Sequence, residues 1–174
     1  MTPSPQETST QPEIPVLPEP NKVKIVISGM SGLYPDMHSV KELSEVLYNK
    51  INPISAEGLR YKYNHPEAVP CGGSIPDLDC FDAQFFKVHY RLSYYMEPMA
   101  RKLLEKSYEA IYDAGLNPHN LWGKKVGVYV GSCLSESEKA CFYDMSCRSG
   151  TGVAGCSKTM FANRVSYWLN AKGP

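Results

Sequence analysis

No apolar run in this 174-residue chain exceeds a few residues. That excludes a membrane-spanning helix, which needs about 20 consecutive apolar residues. The N-terminus has no apolar h-region, so a secretory signal is not expected. Neither sign of charge dominates: 18 Lys and Arg balance 18 Asp and Glu. Without a basic stripe to neutralise phosphates, no nucleic-acid partner is expected. No Cys-x-x-Cys and no pair of histidines at zinc-ligand spacing occurs, so no metal site is expected. No internal repeat is present. The six cysteines, Cys71, Cys80, Cys133, Cys141, Cys147 and Cys156, do not form the framework of a small secreted scaffold. The reading is therefore free thiols in a reducing, cytoplasmic compartment.

What is present argues for a folded body. The hydrophobic share is 43% and the aromatic share 11%, both too high for a disordered chain. Residues 1–22 differ from the rest. Pro3, Pro5, Pro12, Pro15, Pro18 and Pro20 alternate with Ser, Thr, Gln and Glu, which predicts an extended or disordered leader ahead of a body over 23–174.

Within the body, Val23-Lys24-Ile25-Val26-Ile27-Ser28 predicts a first strand, rich enough in β-branched residues to be buried on both faces. Gly29-Met30-Ser31-Gly32 turns the chain. Ser39 is placed to cap a helix through about Lys50, with Val40, Leu43, Val46 and Leu47 on one face. Residues 51–80 read as loop, with a short extended piece near Gly73–Ile75. The aromatic cluster Phe81, Phe85 and Phe86 is expected to pin that excursion to the body. The strongest helix starts near Pro98, and Gly115 stops it. Val126-Gly127-Val128-Tyr129-Val130 predicts a second strand. A polar stretch through Gly152, helical in part, leads to one last helix carrying Val153, Cys156, Met160, Phe161, Val165, Trp168 and Leu169. Alternating helices and strands make the class α/β. Two strands do not form an independent sheet, so the pattern reads as an incomplete domain.

Several sites are weighed against plainer readings. Gly29-Met30-Ser31-Gly32 after a strand suggests dinucleotide binding, but the fingerprint needs Gly-x-Gly-x-x-Gly opening into a helix, and Leu33-Tyr34-Pro35 follows instead. A structural turn is preferred. Cys133 lies just past the second strand, where α/β folds place functional groups. Nothing in the sequence pairs it with His38, His65, His89 or His119, so it reads as a pocket-lining or buried thiol. Glu97, Glu105, Glu109 and Asp113 share one face of the long helix and read as its solvated side. Arg164, in a helix poor in charge, is expected to meet a buried carboxylate or carbonyl.

Taken in order, these segments resemble one family. The series comprises Ile25 to Gly32 with Tyr34-Pro35, Asp77 to Phe86 with Val88-His89, and Arg101 to Gly115 with Asn117-Pro118. It continues through Val126 to Gly131, then Ala162 to Tyr167 with Lys172-Gly173-Pro174. The series is similar to the N-terminal part of the β-ketoacyl synthase (ketosynthase) domain of an animal, insect-like type I fatty acid synthase. One departure stands out: the family usually has Met-Asp-Pro-Gln where this chain has Met96-Glu97-Pro98-Met99.

The resemblance implies a thiolase-like layered αβαβα fold, of which only the first half is present and incomplete. It implies an acyltransferase that condenses acyl and malonyl thioesters carried on an acyl carrier protein, working as a homodimer without a cofactor. The family's nucleophilic cysteine follows the Gly-Pro that matches Gly173-Pro174, and two histidines assist it. None of the three maps onto this chain, so no catalytic residue is assigned and the 174 residues alone are expected to be inactive. Cys133, Leu134 and Met160 are carried over as substrate-pocket wall. A polyketide synthase ketosynthase, or a non-catalytic dimerisation or binding module derived from the fold, are the alternatives.

Overall fold

The computed structural model describes residues 24–56, 67, 70–133, 135–143 and 150–173. The expected leader 1–22 and Leu134 lie outside the described residues. Among the described residues six α-helices and one 3-10 turn follow one another: α1 Val40–Tyr48, α2 Tyr90–Tyr95, α3 Pro98–Asp113, the turn Pro118–Leu121, α4 Glu136–Tyr143, α5 Gly152–Cys156 and α6 Met160–Trp168.

The expected strands are corrected. Among the described residues neither 24–28 nor 126–130 joins a ladder, and the only β-bridges are Tyr34–Met37 and Ser55–Gly72. The α/β class therefore holds here only as part of a fold whose described residues are mostly helical. The physical reason is that a strand saturates its N–H and C=O groups and covers its faces only when neighbours flank it. Ile25 is 96% exposed and Ile27 82%, against the expectation of burial on both faces. The Val126 segment fares differently, because Val128 and Val130 pack partly onto the core while Tyr129 projects outward.

α3 organises the rest. Pro98 stands in its first turn, where a missing N–H costs nothing, and Gly115 follows its end at a φ of 72°. Ala100 and Leu104 are buried on its inner face. Phe86, Met96, Phe161, Val165 and Leu169 complete one core with them. Phe86 stacks with Phe81 at 5.4 Å and meets Trp168 at 5.1 Å, which ties the Pro-rich excursion to α6. Each fully buried large side chain here contributes about 1.5–3 kcal/mol of transfer free energy. Residues 29–31 dock on the C-terminal part of α3: Met30 N–H donates to Asp113 at 2.8 Å and Ser31 to Glu109 at 2.6 Å. The approach is close enough to require glycine at 29. A Cβ there would sit 2.7 Å from the Ala114 nitrogen and nearer still to the Ala110 carbonyl.

The single last helix is also corrected, to α5 and α6. Ser157 leaves the helical region at φ −68°, ψ 127°, and its hydroxyl pairs with that of Thr159 at 2.8 Å. Local side-chain hydrogen bonds of this kind compete with helix propagation. α1 forms as expected, with Ser39 accepting from the Glu42 N–H at 3.2 Å, yet it buries no residue and leaves Leu47 63% exposed.

Candidate functional site

A buried polar arrangement lies where α2 hands over to α3, against α4 and α5. Tyr95 and Met96 lead into Glu97, which precedes Pro98 with an extended backbone. α5 comes close to this corner: a Cβ on Gly155 would lie 3.0 Å from the Tyr95 carbonyl oxygen and 3.3 Å from the Met96 Cα. Glycine at 155 lets the Glu97 N–H donate to the Gly155 carbonyl at 3.2 Å.

Glu97 does not cap α3 with its side chain. Only 7% exposed, it accepts from the Ser135 hydroxyl at 2.8 Å. This corrects the solvated-stripe expectation. Glu105 pairs with Lys102 at 2.9 Å and Glu109 with Lys106 at 2.7 Å on a face that residues 30, 31, 38 and 80 partly cover, while Glu97 sits one step before the helix, where α5 covers it more fully. Ser135 is 3% exposed and serves two partners. Its proton goes to Glu97, since the Cys156 carbonyl is farther at 3.4 Å and a carboxylate acceptor makes the stronger bond. Its oxygen accepts from the Glu138 N–H at 3.1 Å, which caps α4.

Cys156 completes the junction. It is 0% exposed, donates to the Tyr95 carbonyl at 3.0 Å and lies 2.8 Å from the Cys141 sulfur. Burial, then the Cys141 contact and the nearby carboxylates, push its pKa from 9.0 up to about 12. A thiol so placed stays protonated at neutral pH, so it reacts only where a neighbouring group takes its proton as it attacks. The described histidines take other partners: His89 accepts from the Arg91 N–H, His119 packs edge-on against Trp122, and His38 offers its carbonyl to Lys106, while His65 lies outside the described residues.

The raised Cys156 pKa has a stability consequence. Above about pH 9 the unfolded chain sheds this proton while the folded chain keeps it. The unfolded state then binds fewer protons, so stability falls as pH rises toward 12, by at most about 1.4 kcal/mol per pH unit from this group. Between about pH 8 and about pH 10 (about one unit below and above the onset) the unfolding midpoint is expected to drop more for the wild type than for Cys156→Ser, whose hydroxyl does not titrate there. Equal drops refute the assignment.

Of the sequence-derived pocket residues, Cys133 and Met160 fall among the described residues. Cys133 is exposed, and its carbonyl accepts from Lys158 at 3.1 Å. Met160 lines a cavity of about 460 Å³ with Phe86, His89, Leu104, Arg164 and Trp168, and Cys133 is not among the lining residues. Arg164, as expected, meets a carbonyl, that of Ala154. Its Nε is buried without a hydrogen-bond partner among the described residues. Burial lowers its pKa, with Cys156 acting in the opposite direction, yet a guanidinium remains charged. The cavity thus has a mostly apolar wall with the half-buried Arg164 and the exposed Lys87 on it. The Glu97–Ser135 contact escaped sequence reading, although the Glu at a position where Asp is usual was its one visible signal.

Among the described residues no helix is long and apolar enough to cross a membrane, and no cluster of His, Cys, Asp and Glu is arranged to hold a metal. The pattern of the β-ketoacyl synthase N-terminal domain matches residues 22–174. The fatty acid synthase of Anser anser anser is 39% identical over 150 residues, 86% of this chain and 43% of that protein. A phenolphthiocerol/phthiocerol polyketide synthase from Mycobacterium tuberculosis is 39% identical over 103 residues, 59% of this chain and 6% of that protein. Among solved structures, the ketosynthase from module 6 of the bacillaene synthase of Bacillus subtilis superposes with a TM-score of 0.68 at 34% identity, covering 84% of this chain and 24% of that one. The chain spans less than half the length of each of these relatives.

Proposed function

This chain belongs to the β-ketoacyl synthase family, and from that premise we propose that residues 23–174 are the N-terminal part of the condensing domain of an animal, insect-like type I fatty acid synthase, with 1–22 as its leader. The parent enzyme takes an acyl group from an acyl carrier protein onto a cysteine. It then stabilises charge on the carbonyl of a malonyl thioester as carbon dioxide leaves, and joins the resulting carbanion to the acyl carbon. Donors aimed at charge that develops during reaction supply most of such catalysis. The observation that supports the fatty acid reading is identity joined to extent: the goose synthase is 39% identical over 86% of this chain, against 33% over 92% for the polyketide synthase PksL of Bacillus subtilis.

In this reading the chain contributes scaffold, with Cys133, Leu134 and Met160 as pocket wall, and the parent is a homodimer. The likeness to bacillaene synthase ketosynthases favours a second reading, a polyketide synthase parent, in which the same step extends a differently substituted chain.

Two measurements test this. The 174-residue chain alone, given acyl and malonyl carrier-protein thioesters, is expected to form no ketoacyl product. Its 23–174 segment, grafted in place of the matching segment of the goose fatty acid synthase, is expected to retain malonyl-dependent condensation. A folded chimera that loads acyl groups but does not condense them overturns the proposal. Turnover by the chain alone overturns the assignment of its residues to scaffold.

A further inference from the structure

The Cys141–Cys156 pair has no part in that condensing chemistry, yet its geometry is specific. The two sulfurs lie 2.8 Å apart, one on α4 and one at the end of α5. Cys141 is half-buried, so a small oxidant reaches it, while Cys156 is sealed in the core. Cys71, Cys80 and Cys133 are exposed. A disulfide closes at about 2.05 Å, so sulfur movement of less than about 1 Å suffices. We propose that Cys141 and Cys156 are a redox modification site, converted by hydrogen peroxide into a reversible disulfide that clamps α4 to α5.

The chemistry balances with the peroxide as oxidant. The Cys141 sulfur attacks one peroxide oxygen, breaking the O–O bond and giving a sulfenic acid and one water. The Cys156 sulfur then attacks the sulfenic sulfur, forming S–S and breaking S–O. The departing hydroxide takes the Cys156 proton to become the second water. Both sulfurs are oxidised by one electron and both peroxide oxygens are reduced. The buried partner, next to the sulfur that oxidises first, forms the bond before further oxygen adds. The Cys156 proton that reached the Tyr95 carbonyl is lost in the process, so the corner between α2 and α3 feels the oxidation.

The test uses the full chain treated with hydrogen peroxide, alkylated, digested without reduction and mapped by mass spectrometry. Trypsin cuts after Arg148, between the two cysteines, so the bridge appears as a cross-linked peptide pair lighter by two hydrogens and released by dithiothreitol, with fragmentation placing the link on Cys141 and the alkyl group on Cys147 of the same peptide. Cys71, Cys80 and Cys133 remain alkylatable. Closing this loop is expected to raise the unfolding midpoint by about 5–10 °C. Cys141→Ser, a change at the accessible partner, is expected to abolish both the bridge and the oxidative rise while leaving the reduced midpoint near that of the wild type. Recovery of both cysteines as alkylated after oxidation, dominance of bridges to other thiols, or an oxidative rise that persists in Cys141→Ser overturns the proposal.

Discussion

Phe161→Ala is expected to remove about 3–5 kcal/mol of folding stability. Phe161 is 1% exposed and the bulkiest of the fully buried side chains among the described residues. It stands at the start of α6 and joins Met96, Ala100, Leu104, Val165 and Leu169 in one cluster. Deleting the ring forfeits its transfer free energy and opens a cavity that the helices around it fill only in part. Domains of this size are stable by about 5–15 kcal/mol in total, so the loss is a large share. Urea unfolding followed by circular dichroism reads it as a lower midpoint at an unchanged slope. A change below about 1 kcal/mol, the usual size for a substitution outside the core, would mean that α6 does not pack on α3 as described.

Ser135→Ala is the second substitution with a large expected effect, about 2–4 kcal/mol. Two losses combine. The buried Glu97 carboxylate is left without its donor, which costs about 1–3 kcal/mol, and α4 loses the cap on the Glu138 N–H, about 0.5–2 kcal/mol. A double-mutant cycle separates them. Glu97→Gln removes the charge that needs the donor, so in its presence Ser135→Ala is expected to cost only the cap. The coupling between the two changes then falls within about 0.5–3 kcal/mol. Strict additivity would show that the 2.8 Å contact carries no energy of its own.

Elements whose signals are local were legible in advance. Ser39 caps α1, Pro98 opens α3 and Gly115 follows its end, because capping and turn chemistry act over a few residues. The strands were not, since Val23–Ser28 and Val126–Val130 carry the right side chains but a ladder requires partners that no local pattern supplies. The break between α5 and α6 was missed for a different reason. The apolar period runs straight through Ser157, while the hydroxyl pairing of Ser157 with Thr159 that competes with the helix leaves no mark on that period.

The candidate site divides the same way. Arg164 reads as a buried cation from the lack of charge around it, and it does reach a carbonyl. Glu97 does not read as buried, because its helical spacing from Glu105, Glu109 and Asp113 matches an exposed stripe. Cys141 and Cys156 are 15 residues apart at no recognised motif spacing, and only the docking of α4 on α5 brings their sulfurs together.

The order of side chains along this polypeptide was enough to establish its family, its helix ends and its dominant apolar face, since each depends on neighbours within a turn or two. Which carboxylate leaves water, which thiol is sealed away and which apolar segment stays uncovered were decided in three dimensions. Desolvation and pairing depend on what arrives from distant parts of the chain.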